Sequence, residues 1–210
     1  MGMSDQLVLP QQIKFIDALV RDFIAPPRVL KIAYLGNQSA NHPTVQHCQK
    51  LFPEAQHDFY DIVLGNWDIN KEWKIEGYDL VVCYRTTAYV ESSLEFFLQQ
   101  LKKCISKNKY IIFDFILYSG LFENHYSTRN PPGANARFDF RNLYKSSLRS
   151  PDFLQWRGYS YSLQDYFAAT MLNAFTEKTF EENNIVPTFI NCEWNPIKRD
   201  LITYAFWNNE

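Results

Sequence analysis

The sequence predicts a three-layer α/β fold, in which helices cover both faces of a mostly parallel sheet that ends in an antiparallel hairpin strand. Short apolar runs typical of buried strands alternate with amphipathic helical patterns from residue 11 to residue 117. Two further strand-like runs flank the turn-forming sequence "NPIKR" near the end of the chain. The length of 210 residues suits a single domain, 1–210, with its own core.

Each element follows from a local pattern. Apolar residues at helical spacing predict an N-terminal helix over residues 11–24, which Pro26 and Pro27 end. Strands are then predicted at 29–36, 55–64, 78–85 and 109–117, and helices at 42–52 and 91–106. The final part of the chain predicts a helix at 162–184 and strands at 186–194 and 200–207.

An irregular insert at residues 119–158 interrupts this alternation and is too long for an ordinary connection. Its stretch "RNPPGANARFDFRNLY" mixes arginines with aromatic residues. That mixture suits a lid that recognises an anionic or planar substrate. It equally suits a loop that binds a protein partner through residues 122–150.

The bulk properties exclude several classes of function. A net charge of −2 and a pI of about 6.1 give no indication of nucleic-acid binding. No apolar run is long enough to span a membrane, and the first residues lack the pattern of a signal peptide, so we expect a cytoplasmic protein. The chain has four cysteines, Cys48, Cys83, Cys104 and Cys192. Their spacing is not that of metal ligands, which predicts free thiols and no metal site.

The stretch "KIAYLGNQSA" ends an apolar run with a glycine and small polar residues. Gly36 would let a ligand approach the backbone closely, and Asn37 and Ser39 could donate hydrogen bonds to it. With the later strand "YDLVVCYR", this stretch resembles the class I S-adenosylmethionine-dependent methyltransferases, which have a Rossmann-like sheet. The resemblance covers roughly residues 28–117 by motif and 160–207 by element order, and it implies S-adenosylmethionine as cofactor.

The resemblance also implies roles for residues at the ends of later strands. Asp61 matches the acidic residue that binds the ribose hydroxyls, since a carboxylate can accept two hydrogen bonds at once. Asp68 would accept from the adenine amino group, and Trp67 would stack on the adenine ring. Tyr84 and Arg85 fall at the carboxyl end of the third strand, where ligands bind in open α/β sheets.

The sequence departs from the family pattern in two ways. Gln38 and Ala40 stand where the family has its later glycines, and Tyr34 stands at its acidic position. Asp61 and Asp68 are also too close in sequence to fit the helix that the family has between them. We therefore expect that helix, and a neighbouring strand with it, to be shortened or missing.

Two residues are candidates for catalysis. Asp114 is a carboxylate within the apolar strand "IIFDFIL", and a buried carboxylate needs partners. It could orient a substrate or a catalytic group, or it could hold the insert through Arg137 or Arg141. His125 lies in the insert and is a candidate general base, because its ordinary pKa is near neutrality.

Two functions fit these observations. The first is a methyltransferase that acts on a small-molecule or sugar-like acceptor, with the insert shaping the acceptor site. The second is a non-catalytic descendant of the fold, in which the sheet is a scaffold and the insert binds a protein partner.

Overall fold

The computed structural model describes residues 8–87, 92, 94–118, 181, 183–195 and 200–210. Its helices are α1 (Val8–Asp22), α2 (Pro43–Leu51) and α3 (Leu94–Lys107), and a short 3-10 helix spans Pro26–Arg28. Its strands are β1 (Lys31–Leu35), β2 (Gln56–Tyr60), β3 (Leu80–Cys83), β4 (Tyr110–Tyr118), β5 (Phe189–Asn195) and β6 (Asp200–Asn208).

These strands form one sheet in the order β2-β1-β3-β4-β6-β5. Neighbours from β2 to β4 are parallel, whereas β6 is antiparallel to both β4 and β5. Only β6 therefore runs against the other described strands. The predicted fold class, a mostly parallel sheet that ends in an antiparallel hairpin, is confirmed; residues 196–199 of the hairpin turn lie outside the described residues.

Helices cover both faces of the sheet. On one face, the apolar residues of α1 and α2 are Phe15, Ile16, Leu19, Val45 and Cys48. They pack against strand residues of β1, β3, β4 and β6: Ile32, Tyr34, Val82, Ile112 and Phe206. On the other face, Phe97 of α3 contacts Trp73 and Phe113, whose rings stack with centroids 5.9 Å apart. Alternate residues of each strand thus feed two cores, which is the packing expected of a buried parallel sheet.

The start of α2 agrees with its sequence signals. His42 is the N-cap residue, and its Nδ1 accepts a hydrogen bond from the backbone N–H of Thr44 at 3.2 Å. Pro43 occupies the first turn, where the missing N–H has no helical partner to lose. Apart from the strand predicted at 55–64 and the helix predicted at 162–184, the remaining elements begin and end within a few residues of their predicted bounds.

The strand predicted at 55–64 ends early, at Tyr60. The Oδ1 of Asp61 accepts a hydrogen bond from the backbone N–H of Val63 at 2.8 Å, and this side-chain turn takes the chain out of the sheet. The apolar side chains that follow are exposed: Ile62, Val63 and Leu64. The prediction was wrong there because the local hydrogen bond of Asp61 outweighs the apolar character of the next three residues.

Residues 61–79, all of which the structure describes, form no helix and no strand. The expected loss of a helix between Asp61 and Asp68 is therefore confirmed. Among the described strands, β2 has β1 as its one neighbour and forms an edge of the sheet. The insert at 119–158 and most of the predicted helix at 162–184 lie outside the described residues.

Cys48, Cys83 and Cys104 are free and buried, as predicted, and burial raises the pKa of each thiol. The described residues contain no group of three or more His, Cys, Asp or Glu side chains able to hold a metal ion. In the same part of the chain, no helix combines the length and the apolar character needed to cross a membrane.

Asp79 joins the amino ends of three strands. One carboxylate oxygen accepts from the backbone N–H groups of Leu30 and Lys31 at 2.9 and 3.0 Å. The other lies 3.0 Å from the ammonium of Lys109. Partial burial acts to raise the pKa of Asp79, but these partners outweigh it and hold that pKa below its usual value.

Replacing Asp79 with alanine is expected to destabilise the protein by about 1–3 kcal/mol, because two backbone donors lose their acceptor. Urea unfolding at neutral pH measures this free energy. The control Asp22→Ala removes only an exposed ion pair with Arg21 and should leave the unfolding midpoint unchanged. Equal midpoints for the two variants would contradict a structural role for Asp79.

Candidate functional site

The carboxyl ends of β1, β2, β3 and β4 lie along one edge of the sheet, because these strands are parallel. Ligands of open α/β sheets bind at this edge. The predicted site residues found there are Gly36, Asn37 and Ser39 after β1, Asp61 after β2, Tyr84 and Arg85 after β3, and Asp114 within β4. His125 lies outside the described residues.

Gly36 makes the tight turn that the sequence predicts. Its backbone N–H donates to the carbonyl of Tyr60 at 2.6 Å, and its φ of +74° favours glycine. A Cβ at this position would lie 2.1 Å from Oγ1 of Thr86. The close approach at Gly36 is therefore made by a side chain of the protein itself, which the sequence analysis missed.

Asn37 and Ser39 stabilise the loop that leads into α2. The side-chain oxygen of Asn37 accepts from the backbone N–H of Ser39 at 3.2 Å, and Oγ of Ser39 accepts from that of Asn41 at 3.3 Å. Both are local turns of the kind that short polar side chains favour. These oxygens hold the loop in place, and a ligand role for the two residues stays a prediction.

Asp61 is a largely buried carboxylate at the end of β2, with 8% of its surface exposed. Its Oδ1 accepts from the backbone N–H of Val63. The same oxygen lies 3.4 Å from Nε2 of Gln38, a residue of the loop after β1. Its own N–H donates to the side-chain oxygen of Asn66 at 2.9 Å, and Asn66 also donates to the carbonyl of Phe59. The loops after β1 and β2 thus meet at the Asp61 carboxylate.

Trp67 and Asp68 make their described contacts within residues 61–79. Trp67 is buried, and its ring centroid lies 5.6 Å from that of Trp73. Asp68 accepts from the backbone N–H of Asn70 at 2.9 Å, and its other oxygen lies 3.4 Å from the ammonium of Lys71. Each residue therefore has an internal structural role, and their adenine contacts stay a prediction.

Asp114 lies in β4 and is fully buried. It stands beside the residues that follow β3. Its Oδ1 accepts from the backbone N–H of Arg85 at 2.6 Å, and its carbonyl accepts from Oγ1 of Thr87 at 2.8 Å. Oδ1 of Asp114 thus gives the backbone N–H of Arg85, just after the end of β3, a hydrogen-bond acceptor. Burial raises the pKa of Asp114 to about 7, against the opposing effects of the Arg85 charge and of that backbone N–H.

Tyr84, Arg85 and Asp114 form what we call the Asp114 cluster. Each has a buried polar atom with no hydrogen-bond partner among the described residues: the hydroxyl of Tyr84, Nη1 of Arg85 and Oδ2 of Asp114. Arg85 also has a φ of +61°, which is uncommon for a residue with a side chain. Unsatisfied buried polar atoms and strained backbone both concentrate at functional sites.

Thr86 and Asn66 belong to the site and were missed in the sequence. Thr86 follows the third predicted strand, and Asn66 follows the turn residue Gly65. The sequence therefore indicates that both lie in loops after strands, where binding residues are common. Nothing local in the sequence indicates that Thr86 packs on Gly36 or that Asn66 holds Asp61. These pairings join segments that are far apart or separated by a turn.

Several solved structures are similar to this chain. The magnesium protoporphyrin IX methyltransferase ChlM from Synechocystis PCC 6803, solved with bound SAH, is 14% identical, with a TM-score of 0.43 over 95% of this chain and 83% of that one. The N-methyltransferase NodS from Bradyrhizobium japonicum WM9 is 7% identical, with a TM-score of 0.46 over 99% of each chain. The N-terminal domain of EvdMO1, solved in the presence of SAH and D-fucose, is 10% identical, with a TM-score of 0.39 over 95% of this chain and 83% of that one.

No protein-family model and no curated protein sequence matches the chain. The fold assignment rests on the strand order and on the reversed β6 rather than on these likenesses. By those two features, the chain has an α/β fold built on a mostly parallel sheet with one reversed strand.

Proposed function

We propose that this protein is an S-adenosylmethionine-dependent methyltransferase that acts on a small-molecule or sugar-like acceptor. The observation that carries the proposal is the Asp61 carboxylate, which is held at the carboxyl end of β2 beside the loop after β1. A carboxylate in this position suits the two neighbouring hydroxyls of a ribose, because it accepts a hydrogen bond from each.

The residues around Asp61 fit a ribose. Gln38, which contacts the carboxylate, is exposed and sits at the long limit of a hydrogen bond. Its side chain can therefore leave Asp61 at little cost and a ribose hydroxyl can replace it. Asn66 and Val63 fix Asp61 through separate hydrogen bonds that this exchange does not break.

S-adenosylmethionine supplies an activated methyl group when it is bound. The work left to the chain is to bind the cofactor, to orient the acceptor and to accept a proton where the acceptor loses one. Asp61 serves the first task in this proposal. Asp114, buried at the same edge of the sheet with a pKa of about 7, suits the last.

Asp61→Asn tests the proposal. Asparagine keeps an oxygen that can accept from the N–H of Val63, so the turn is preserved, but it loses the charge that a ribose hydroxyl would meet. We expect the affinity for S-adenosylhomocysteine to fall by roughly 10- to 100-fold, since a hydrogen bond to a charged group is worth about 1.5–3 kcal/mol. Isothermal titration calorimetry measures this affinity.

A matched control is Asp58→Asn, in the same strand. Asp58 accepts from Tyr78 and from Gln56, away from the carboxyl end, so its replacement should leave the affinity unchanged. Wild-type protein that shows no heat of binding with S-adenosylhomocysteine, and no rise in its thermal midpoint, contradicts the proposal. At a hundredfold excess over Kd the ligand should stabilise the protein by about 2.7 kcal/mol.

A second candidate function is a non-catalytic scaffold. It is favoured by the Thr86 side chain packed against Gly36, by the Gln38 side chain lying on Asp61, and by the absence of a helix in residues 61–79. In this function residues 122–150 would bind a protein partner. Two results together would support it. The purified protein would not bind S-adenosylhomocysteine, and its complex with a protein partner would be lost when residues 122–150 are deleted.

A further inference from the structure

The Asp114 cluster contains more polar groups than the fold requires. The backbone N–H of Arg85 needs one acceptor, and Oδ1 of Asp114 provides it. An asparagine would provide the same acceptor without the cost of burying a charge. The second oxygen, Oδ2, is buried and has no partner, so the carboxylate has no structural explanation among the described residues.

The other members of the cluster point in the same direction. In the described part of the chain, Nη1 of Arg85 is a buried donor without an acceptor, and the hydroxyl of Tyr84 is buried without a partner. Among the described residues, no ion pair within 4.0 Å joins the Arg85 guanidinium to the Asp114 carboxylate. The Arg85 charge acts to lower the pKa of Asp114, but it gives neither Nη1 nor Oδ2 a hydrogen bond. Leaving such groups unpaired is costly unless another molecule completes them.

The position of the cluster suits a ligand. Tyr84 and Arg85 are each partly exposed, so the cluster extends from the surface inward to Asp114. The ring of Tyr84 packs edge-on against Tyr204, which is the strand partner of Asp114. These contacts fix the Tyr84 side chain beside β4, at the edge of the sheet that the proposed function uses.

A hydroxyl group has the complementary chemistry. It can donate its proton to a carboxylate oxygen and accept from a guanidinium N–H at the same time. A protonated amine would meet the Arg85 charge unfavourably, and a carboxylate ligand would meet the Asp114 charge unfavourably once Asp114 is ionised. Among these groups, the hydroxyl therefore satisfies Oδ2 of Asp114 and Nη1 of Arg85 without a like-charge contact.

We propose that Asp114 and Arg85 receive the hydroxyl group of the acceptor, so that the chain methylates oxygen; this rests on the proposed function. The acceptor oxygen forms a bond to the donor methyl carbon, the carbon–sulfur bond breaks with its electron pair staying on sulfur, and the hydroxyl proton goes to Oδ2 of Asp114. Arg85 stabilises the negative charge that develops on the oxygen. The raised pKa of Asp114 suits a base near neutral pH.

The test uses labelled S-adenosylmethionine and matched acceptor pairs: phenol with aniline, and a methyl glycoside with its amino-sugar counterpart. We expect transfer to the hydroxyl compounds, with a kcat that rises with pH and reaches half its maximum near pH 7, where half of the Asp114 carboxyl groups are ionised. Asp114→Asn should lower kcat by about 10²- to 10⁴-fold and remove this pH dependence. Arg85→Gln should lower kcat by roughly 10²- to 10³-fold.

Titration with S-adenosylhomocysteine separates this inference from the proposed function. Both variants should bind it with wild-type affinity, because Oδ2 of Asp114 and Nη1 of Arg85 are assigned to the acceptor. Loss of that affinity in Arg85→Gln would reassign Arg85 to the cofactor and overturn the inference. Transfer to the amines alone, or to neither class by protein that binds S-adenosylhomocysteine, would also overturn it while leaving the cofactor site intact. Failure of wild-type protein to bind S-adenosylhomocysteine instead overturns the proposed function.

Discussion

Asp114→Asn is expected to stabilise the protein near pH 8 by about 2–4 kcal/mol, from a pKa raised by roughly three units at 1.36 kcal/mol each. Asp114 is fully buried, and one of its oxygens has no hydrogen-bond partner among the residues that the structure describes. Wild-type protein must bury that charge when Asp114 is ionised. Asparagine can still accept from the N–H of Arg85 and carries no charge.

The pH dependence gives the effect a clear sign. Burial raises the pKa of Asp114 from its ordinary value of 3.8 to about 7, so the folded state binds the proton more tightly than the unfolded state. The contribution to stability is fully present below pH 3.8 and is lost as the pH rises to about 7. Urea unfolding at several pH values should show the difference in unfolding free energy between variant and wild type increasing from pH 3.8 to about 7.

Asp79→Asn is the matched control, because the pKa of Asp79 is lowered in the folded state. Its stabilising contribution is present above its ordinary pKa and is lost in acid, so the variant should be less stable than wild type near pH 8. An Asp114→Asn protein that is also less stable near pH 8 would contradict the prediction. It would show that a cation stabilises the Asp114 carboxylate, for which Arg85 and, in the insert, Arg137 or Arg141 are the candidates.

Gly36→Ala is expected to destabilise the protein by about 2–5 kcal/mol, from a left-handed backbone penalty of about 1–2 kcal/mol and an overpacking cost of about 1–3 kcal/mol. The new Cβ would lie 2.1 Å from Oγ1 and 2.7 Å from Cγ2 of Thr86. The Thr86 side chain is buried and bonded to backbone carbonyls, so it cannot move away freely. Urea or thermal unfolding measures the loss.

Gly77→Ala separates the two costs. Gly77 has a similar φ of +75°, but a Cβ there meets nothing within 4 Å. It should lose only the backbone penalty of about 1–2 kcal/mol. The double variant Gly36→Ala with Thr86→Ala should recover part of the stability by removing the clash. Equal losses for Gly36→Ala and Gly77→Ala would show that Thr86 does not close the space at Gly36.

The order of helices and strands was predictable because apolar periodicity is a local property. Strand–helix alternation up to residue 117 and the final pair of strands predicted a mostly parallel sheet with a reversed hairpin strand, and β1 to β6 confirm it. The early end of β2 was not predicted. A side-chain hydrogen bond from Asp61 decides it, and an apolar run of residues 62–64 gives no sign of that bond.

The candidate site was predictable in position and not in its contacts. Gly36, Asp61 and Asp114 were singled out as a glycine after a strand, an acid after a strand and an acid inside a strand. Their partners come from elsewhere in the chain: Thr86 for Gly36, Gln38 for Asp61, and Arg85 for Asp114. Such partners depend on which strands become neighbours.

By itself, therefore, the sequence determined the layered α/β architecture, the missing helix after β2 and the edge of the sheet at which a site would lie. Only the tertiary structure decided that Thr86 occupies the space beside Gly36 and that Asp114 is buried, with one oxygen that none of the described residues pairs. The physical reason is that periodicity acts over a few residues, whereas steric contact and burial depend on segments that folding brings together, such as Gly36 and Thr86, which are 50 residues apart.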